Sequence, residues 1–252
     1  MPEQKKLKVE LLQHTPMPEE TVSLAAKLCY SKASIVDLKD KISSKDQSSF
    51  IEKLLNMGHE SVLEHVSFTF GIEGVSRVLL AQLTRHRIAS YSVQSQRYNS
   101  YERGFGYIIP DSIAELGEDA IRKYHDQMQT IEQWYIDWQK LLGDCGEKAN
   151  EDARFILPNA CETKIVMTMN VRELRHFFSL RMCSRAQWEI RKMAEQMFAL
   201  CFKTAPALFR DAGPACLRGK CPEGEKSCGK AAAIRLSREA MISAYKEEIT
   251  DA

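Results

Sequence analysis

The chain has 252 residues, of which 44% are apolar, and its 35 lysines and arginines are almost balanced by 34 aspartates and glutamates. A net charge of +1 gives no long-range attraction for a polyanion, so bulk nucleic-acid binding is disfavoured and any basic segment must act locally. The N-terminus lacks the apolar core of a signal peptide, and no apolar run approaches the roughly 20 residues of a membrane span, which predicts a cytoplasmic protein without membrane contact.

The first part of the chain predicts a strand followed by two helices. The strand is expected at residues 8–13 and the helices at residues 19–30 and 46–57. Gly58 directly follows the second helix, where glycine commonly caps a C-terminus.

The spacing of apolar residues changes from that of a strand to that of a helix in the next part of the chain. From Val66 to Ile72, apolar residues alternate with small or polar ones, which is typical of a half-buried strand. From Val75 the period becomes helical, and one face of this predicted helix extends to His86. The helix is therefore expected to present Gln82 and Arg85 to whatever that face contacts.

A long amphipathic helix is predicted over residues 119–142, because its apolar positions alternate spacings of three and four. Its aromatic residues, including Trp138, are interpreted as packing residues, and Gly143 is expected to end it. A shorter helix carrying Arg154 is expected to end at Pro158.

The next elements are a strand and two helices. Residues 165–171 alternate as a strand does, which places Asn170 near its end, and residues 172–181 predict a short helix. Ser184 and Gln187 have the spacing of a capping box that opens another helix. The predicted core stripe of that helix is Ala186, Ile190, Met193, Ala194, Met197 and Cys201.

Two groups of basic residues are candidates for an anion site. Residues 74–101 contain Arg77, Arg85, Arg87 and Arg97, one histidine and no acidic residue. Four guanidinium groups without local carboxylates suit a phosphate-bearing ligand, and a solvated basic face is the alternative. The second group lies around the turn after residue 181: Arg172, Arg175, His176, Arg181 and Arg185.

Neutral hydrogen-bonding residues accompany the first group, and this mixture suits a nucleotide. They are Ser90, Ser92, Gln94, Ser95, Gln96 and Tyr98. The chain has neither a G-x-G-x-x-G fingerprint nor a P-loop, so side chains rather than a glycine loop must hold any phosphate. No cysteine has the sequence context of a nucleophile.

The cysteines near the C-terminus form a separate motif. Cys216, Cys221 and Cys228 have the spacing C-x4-C-x6-C. Three thiols are candidate zinc ligands, but structural zinc requires four ligands and no local fourth ligand is evident. Loose thiols or a disulfide are therefore interpretations with at least as much support as zinc.

The segment RHRIASYSVQSQR, residues 85–97, has the pattern RHR-x7-S-x-R and resembles the signature of the flavin-dependent thymidylate synthases. GHESVLEH, RFILP, TMNVREL and LRMCSRAQWEI occur in the order of that family, and the resemblance extends from about His59 to Ala207. It implies an α+β fold, with helices on a mixed or antiparallel sheet, in a 1–210 domain followed by a Cys-containing 211–252 extension.

The resemblance also implies ligand contacts. The residues implied to bind deoxyuridine monophosphate (dUMP) are Gln82, Gln94, Ser95, Gln96, Arg97 and Arg154, with Arg181 at the uracil ring. The residues implied to contact FAD are Ser61, Arg85, His86, Arg87, Asn170, Arg172 and His176. For His86, a structural role at a helix end remains a second interpretation. A departure from the family pattern lies at Ser92-Val93, where the family has Asn-Glu and Val93 cannot accept a hydrogen bond.

The implied activity is the reductive methylation of dUMP to dTMP by a homotetramer. The resemblance makes 5,10-methylenetetrahydrofolate the carbon donor and NADPH the reductant, acting through FAD, with Arg181 activating the uracil ring instead of a cysteine nucleophile. The alternatives are a non-catalytic nucleotide- or RNA-binding protein that uses the same arginines, and a Cys-rich metalloprotein.

Overall fold

The computed structural model describes residues 2–102, 104–143 and 146–250, with side chains up to residue 245. Within these ranges the strands are β1 (Glu3–Gln4), β2 (Lys8–His14), β3 (Ser67–Ser76), β4 (Ala89–Val93), β5 (Gly106–Tyr107) and β6 (Glu162–Asn170). The helices are α1 (Pro18–Leu28), α2 (Ile35–Ser43), α3 (Ser48–Asn56), α4 (Arg77–Leu83), α5 (Asp111–Ala114), α6 (Glu118–Leu141), α7 (Gly146–Ala153), α8 (Val171–Arg181), α9 (Trp188–Thr204), α10 (Pro206–Phe209) and α11 (Ala231–Thr250).

Strands β2, β3, β6 and β4 form a four-stranded sheet in that order, and β1 pairs in parallel with β5. Thr69 on β3 lies opposite Thr168 on β6, with 2.9 Å between their hydroxyl oxygens. Farther along β3, the Gly74 amide donates to the Glu162 carboxylate over 3.0 Å. These two contacts pair increasing residue numbers along β3 with decreasing residue numbers along β6, so the strands are antiparallel. The predicted α+β class is confirmed.

Contacts between residues divide the chain into two compact units. The first unit contains the chain up to Glu10 and Phe70–Met167, and the second contains Leu11–Thr69 and the chain from Thr168 onward. The boundary expected between a 1–210 domain and a 211–252 extension stays a prediction. No helix in the described ranges is long and apolar enough to cross a membrane.

Helix α6 is central to the core of the first unit, and it confirms the long helix predicted over residues 119–142. The buried core residues are Tyr101, Phe105, Tyr107, Ile109, Met128, Tyr135, Ala153 and Cys161. Tyr135 is fully buried, whereas Trp138 is 51% exposed. The interpretation of the helix's aromatic residues as packing residues is therefore wrong for Trp138.

Helices α8 and α9 supply much of the core of the second unit. The predicted stripe of α9 is confirmed apart from Ala186, which precedes the helix. Its fully buried members are Ile190, Met193, Ala194, Met197 and Cys201. The ring of Phe178 on α8 makes edge contacts with Phe198 on α9 and Phe209 on α10, which join the three helices.

The start of α9 differs from the predicted capping box. The helix begins at Trp188, and its N-cap is Gln187, whose side-chain oxygen accepts from the amides of Glu189 and Ile190 at 3.0 and 3.1 Å. This side chain is long enough to fold back over the first turn and satisfy two of its free donors. Ser184 therefore stays in the preceding turn and is not the cap.

The helix predicted from Val75 to His86 is shorter in the structure. Strand β3 continues through Ser76, and α4 occupies only Arg77–Leu83. The Ser76 hydroxyl accepts from the Leu79 amide at 3.1 Å, and this cap fixes where the helix starts. His86 consequently lies beyond the end of the helix.

Helix α2 is not among the predicted elements. Its N-cap is Ser34, whose hydroxyl accepts from the Asp37 amide at 3.1 Å. Leu38 and Ile42 are the residues that it buries. The serine cap with an acidic residue in the first turn is the signal that predicts such a short helix.

The predicted helix end at Gly58 is confirmed. Helix α3 ends at Asn56, and Gly58 has a φ of +74°. The amides of Gly58 and His59 donate to the carbonyls of Leu55 and Leu54, both at 3.0 Å. This is the Schellman arrangement, in which glycine adopts the left-handed backbone without steric cost.

Gly74 has a similar backbone but much less space. Its φ is +68°, and a Cβ there would lie 1.9 Å from the carbonyl oxygen of Lys6. At Gly58 a Cβ would have no atom within 4 Å. We predict that Gly58→Ala costs only the left-handed strain of about 1–2 kcal/mol. Gly74→Ala adds overpacking of about 1–3 kcal/mol to that strain.

Urea unfolding of the two variants measures the difference. Because the two glycines have nearly the same φ, Gly58→Ala isolates the backbone term. Equal losses of unfolding free energy in both variants would show that the close approach of the Lys6 carbonyl to Gly74 does not affect stability.

Candidate functional site

The Arg85–Arg87 segment lies in the turn between α4 and β4, in the first unit. Arg85 and Arg87 are exposed, and His86 between them is 5% exposed. The Tyr91 hydroxyl lies 3.0 Å from the Leu83 carbonyl and 2.9 Å from the His86 carbonyl, which fixes the turn. Within the described part of the chain, no carboxylate forms an ion pair with Arg85 or Arg87. Both guanidinium groups are therefore open to an anion.

The predicted nucleotide segment, Gln94–Arg97, is held mainly through its backbone. The Gln94 amide donates to the Lys164 carbonyl at 2.9 Å, and the Gln94 carbonyl accepts from Arg77 at 2.8 Å. The Ser95 hydroxyl accepts from the Arg97 amide at 3.1 Å. Arg77 thus holds the backbone of the segment, and among the described residues no hydrogen bond engages the side chain of Gln94.

An open cleft of about 490 Å³ lies beside this segment, and all of its lining residues belong to the first unit. Ser92, Val93 and Gln94 line one side of it. Its charged lining residues are balanced in sign: Lys8, Lys164, Glu10 and Glu73. Val93, where the chain departs from the family pattern, faces this cleft as an apolar group. The departure therefore removes a hydrogen-bond acceptor from the cleft wall.

Arg97 is paired with two carboxylates that the local sequence does not contain. Its Nη2 atom lies 2.6 Å from Glu147 and 2.9 Å from Glu151, both on α7. Arg154 begins the 3-10 turn after α7, and its Nε donates to the Glu151 carbonyl at 3.0 Å. The structure thus brings Arg97 and Arg154 together around one turn of α7, while Gln82 lies in α4.

A buried polar network under this segment was not expected from the sequence. Asn150 donates to the Arg97 carbonyl at 2.9 Å, and its Oδ1 accepts from Tyr135 at 3.2 Å and from Gln139 at 2.6 Å. Gln139 also reaches the Ser100 hydroxyl at 3.2 Å. Such networks favour one backbone arrangement because breaking a bond leaves a buried polar group without a partner. Gln139 Oε1 is buried and has no hydrogen-bond partner in the described ranges. The sequence feature that could have revealed this network is Gln139, which lies one helical turn after the core residue Tyr135 in α6.

Gln96 contacts a buried cysteine. Its Nε2 lies 3.6 Å from the Cys161 sulfur. Burial raises the pKa of the Cys161 thiol to about 11, and burial also raises the pKa of neighbouring Tyr101 to about 12. At neutral pH the Cys161 thiol is therefore protonated.

In the second unit, three of the predicted flavin residues lie at the N-terminal end of α8, and a fourth, Ser61, lies in the 3-10 turn that contacts this helix. Asn170 caps the helix by accepting from the Glu173 amide at 2.8 Å. Arg172 and His176, one turn apart, are both exposed. Arg172 pairs with Glu64, which lies in the same 3-10 turn as the exposed Ser61. The side-chain oxygen of Asn170 is thus occupied by the cap.

Arg175 does not belong to the basic cluster in which the sequence placed it. Its side chain is 2% exposed and makes two bonds to Asp211, at 2.6 and 2.9 Å, and one to the Leu208 carbonyl at 2.7 Å. The correction has a simple cause, since Arg175 lies on the core face of α8, one position before the exposed His176. Burial alone raises the pKa of Asp211, but the hydrogen bonds and charge of Arg175 outweigh it and hold that pKa below its usual range.

Arg181 is the last residue of α8 and is half-buried. A cation at this end is favoured by the helix dipole. The three predicted metal candidates follow α10: Cys216 is buried, Cys221 is half-buried and Cys228 is exposed.

Comparisons with known proteins agree over most of the chain. Residues 10–207 match the family described as "Thymidylate synthase complementing protein". A relative from Geobacter sulfurreducens, named flavin-dependent thymidylate synthase, is 53% identical over 238 residues, covering 94% of this chain and all of the relative. The chain belongs to the flavin-dependent thymidylate synthase family. Members of the same name from Clostridium tetani and Pyrococcus horikoshii are 48% and 43% identical, covering 91% and 87% of this chain and 96% and 91% of theirs.

A solved structure supports the fold of this flavin-dependent thymidylate synthase family member. The crystal structure of a UMP/dUMP methylase, PolB from Streptomyces cacaoi bound with 5-Br dUMP, matches with a TM-score of 0.66 and 24% identity. The match covers 82% of this chain and 95% of that one. At this identity the likeness concerns the fold alone.

We predict that Arg175→Met in this family member lowers the free energy of unfolding by about 3 kcal/mol at pH 7, because it leaves Asp211 without its buried partner. The lowered pKa of Asp211 means that the pair stabilises the fold above the unfolded pKa of about 4. That contribution is lost as pH falls through the folded pKa. The difference between wild type and variant should therefore shrink below about pH 4.

Arg210→Met is the matched control, since the single bond from Arg210 to Glu52 at 2.8 Å is partly exposed. The Arg210→Met variant should lose no more than about 1 kcal/mol of unfolding free energy. Urea midpoints at several pH values measure both variants. Equal losses at pH 7 would contradict the assigned role of the buried pair.

Proposed function

We propose that this family member converts dUMP to dTMP by reductive methylation, with 5,10-methylenetetrahydrofolate as carbon donor and NADPH as reductant acting through FAD. The observation that carries the proposal is the RHR-x7-S-x-R segment, in which Arg85 and Arg87 are exposed and unpaired with any carboxylate in the described ranges. The family match over residues 10–207 supports it. A net charge of +1 favours small anionic ligands over nucleic acid.

We propose that the nucleotide segment binds the phosphate and sugar of dUMP. The proposed residues are Gln82, Gln94, Ser95, Gln96, Arg97 and Arg154. Arg97 already holds two carboxylates, Glu147 and Glu151, at 2.6 and 2.9 Å. A phosphate dianion would take their place on the guanidinium, because phosphate accepts bidentate hydrogen bonds as carboxylate does. The Asn150 bond to the Arg97 carbonyl keeps the backbone in place during the exchange.

The proposed flavin residues fit the chemistry of FAD. They are Ser61, Arg85, His86, Arg87, Asn170, Arg172 and His176. A dinucleotide without a glycine loop needs cationic side chains for its pyrophosphate, and Arg85 and Arg87 offer open guanidinium groups. When bound, FAD supplies hydride transfer between NADPH and the pyrimidine-bound one-carbon unit.

Arg181 is the proposed catalytic residue. A guanidinium at a pyrimidine carbonyl stabilises negative charge that spreads over the uracil ring, which makes the ring carbon more nucleophilic. Arginine suits this role because it stays charged at every working pH. Its partly buried position strengthens the interaction, since water screens it less.

Activation without a cysteine nucleophile agrees with the state of Cys161, the buried cysteine beside Gln96. With a pKa of about 11, only about one Cys161 thiol in ten thousand is ionised at pH 7. We further propose a cytoplasmic homotetramer in which the residues of one ligand site come from more than one chain.

A flavin experiment tests the proposed function. The full chain is mixed with FAD, freed of unbound cofactor and examined by visible spectroscopy. NADPH is then added anaerobically, with and without dUMP. A retained flavin band that NADPH bleaches, and dTMP formed when methylenetetrahydrofolate is present, are the expected results. A colourless protein that binds RNA with a steep salt dependence would replace the synthase proposal with nucleic-acid binding.

We predict that Arg181→Ala lowers kcat/KM for dTMP formation by about 100- to 1,000-fold, as expected when one group that stabilises charge in the transition state is removed. Bleaching of the flavin by NADPH alone should continue, because that step does not involve the uracil ring. Arg181→Lys should recover part of the loss, since it restores the charge but not the planar fork.

Arg122→Ala is the matched control, because Arg122 is an exposed arginine of α6 that pairs with the neighbouring Asp119. It should keep wild-type turnover. Near-normal dTMP formation by Arg181→Ala would remove Arg181 from the mechanism while leaving the flavin result untouched.

A further inference from the structure

A cleft of about 720 Å³ lies between α9 and α11 in the second unit. Its volume is within the range of small-molecule sites in proteins. The turn after α8 closes one end of the cleft through Met182 and Ser184, and Pro214 lies beside them. The family match ends at residue 207, so α11, which forms one wall of the cleft, lies outside the matched segment.

The wall formed by α11 combines an apolar stripe with one arginine. Ile234 and Met241 lie two turns apart on this wall, and Arg238 lies between them. These spacings place the three residues on one face of the helix. Beyond the cleft, the Tyr245 ring contacts the Phe202 ring of α9, with 5.1 Å between the centroids, and this contact joins the two helices. Arg238 therefore belongs to the face of α11 that is turned toward α9.

Arg238 is a half-buried cation without a carboxylate partner in the described ranges. Its guanidinium lies over the Phe198 ring, 4.0 Å from the centroid, and its Nη1 atom lies 3.5 Å from the Phe209 carbonyl oxygen. Burial lowers the pKa of Arg238 to about 10, and the charge of Asp211 opposes this shift. Both carboxylate oxygens of Asp211, however, are bonded to Arg175. Arg238 thus stays charged at pH 7 in a place where an additional anion would be favourable.

The other charged residues of the cleft add to this positive charge. Arg191 and Lys230 are basic, and Glu195 is the acidic residue of the lining, so three positive charges face one negative charge and the net charge is +2. Arg191 donates to the Ser184 carbonyl at 3.1 Å through one Nη1 donor. The cleft of the first unit, by contrast, has two lysines and two glutamates in its lining. A charge excess of this sign favours an anionic ligand, and arginine suits phosphate in particular.

Most of the remaining lining residues are apolar, and they can pack against the organic part of a ligand. They are Met182, Phe198, Pro214, Ala233, Ile234 and Met241. A ligand that carries an aromatic or aliphatic group gains affinity by covering this surface, because the contact removes apolar area from water. The combination of a cationic group with an apolar wall is typical of sites for small organic anions.

We propose that the cleft between α9 and α11 binds a small organic phosphate. The phosphate group contacts the guanidinium of Arg238, with Arg191 and Lys230 beside it, and the organic group lies against Ile234 and Met241. A phosphate monoester carries about −1.5 to −2 charge at pH 7, which matches the positive excess of the lining. None of the residues proposed to bind dUMP or FAD lines this cleft, so the proposal does not rest on the proposed function.

Methyl NMR of the full chain labelled at its methionine methyl groups tests the proposal. Met182 and Met241 line the cleft, whereas the exposed Met57 caps the end of α3. The probe is phenyl phosphate, and inorganic phosphate and phenol represent its two halves. We expect phenyl phosphate to shift the signals of Met182 and Met241 along one saturation curve without moving that of Met57. Each half alone should bind at least about tenfold more weakly, because it lacks either the charge or the apolar contact.

Charge-removing variants show which groups hold the phosphate. Arg238→Gln should weaken phenyl phosphate binding at least about tenfold, as expected for loss of hydrogen bonds to a charged group. Lys230→Gln changes an exposed side chain and should weaken binding about threefold. Arg122→Gln is the matched control, because Arg122 is an exposed arginine of α6 in the first unit, and it should leave the saturation curve unchanged.

Several results would overturn the organic phosphate site. Wild-type affinity in a folded Arg238→Gln variant would show that Arg238 only packs on Phe198, and unchanged affinity in Lys230→Gln decides the same question if Arg238→Gln does not fold. Equal responses to phenol and phenyl phosphate would show an apolar groove without anion recognition. Shifts that include Met57, or the absence of any shift at millimolar phenyl phosphate, would show that the cleft is not a binding site.

Discussion

The buried guanidinium of Arg175 is the contact on which the arrangement of the second unit depends. A charged group that is 2% exposed is stable only with its partners in place, and Asp211 and the Leu208 carbonyl supply them. This fixes the rotation of α8 about its axis. The neighbouring face of the helix then presents Arg172 and His176 to solvent, and the helix ends at the half-buried Arg181. A single buried pair thus determines which basic side chains can meet a ligand.

In the first unit, the charge of one arginine is compensated by carboxylates from a distant helix. Its arginines occur without acidic residues nearby in sequence, and α7 provides the compensating carboxylates of Glu147 and Glu151 for Arg97. Arg85 and Arg87 receive no such compensation within the described ranges and remain open. The unit therefore separates paired from unpaired guanidinium groups. The network of Asn150, Tyr135 and Gln139 holds the paired segment rigid, which limits the reorganisation needed when an anion binds.

Elements with a clear hydrophobic period were predicted well from sequence, whereas the starts of two helices, α4 and α9, were predicted poorly. The buried stripe of α9 and the long helix α6 follow directly from spacing. The starts of α4 and α9 depend on backbone amides that donate to the side chains of Ser76 and Gln187, which compete with other nearby capping residues. Local patterns do not decide such competitions, because the winning cap is the one compatible with the strand or turn before it.

The amino-acid sequence alone determined the family, through several motifs in a fixed order, and with it the candidate ligands and the residues proposed to bind them. Only the tertiary structure decided which of these residues are exposed, paired or buried. It removed Arg175 from the basic cluster and gave Arg97 two carboxylate partners. The physical reason is that charge compensation depends on distance in space, whereas a sequence motif records only distance along the chain.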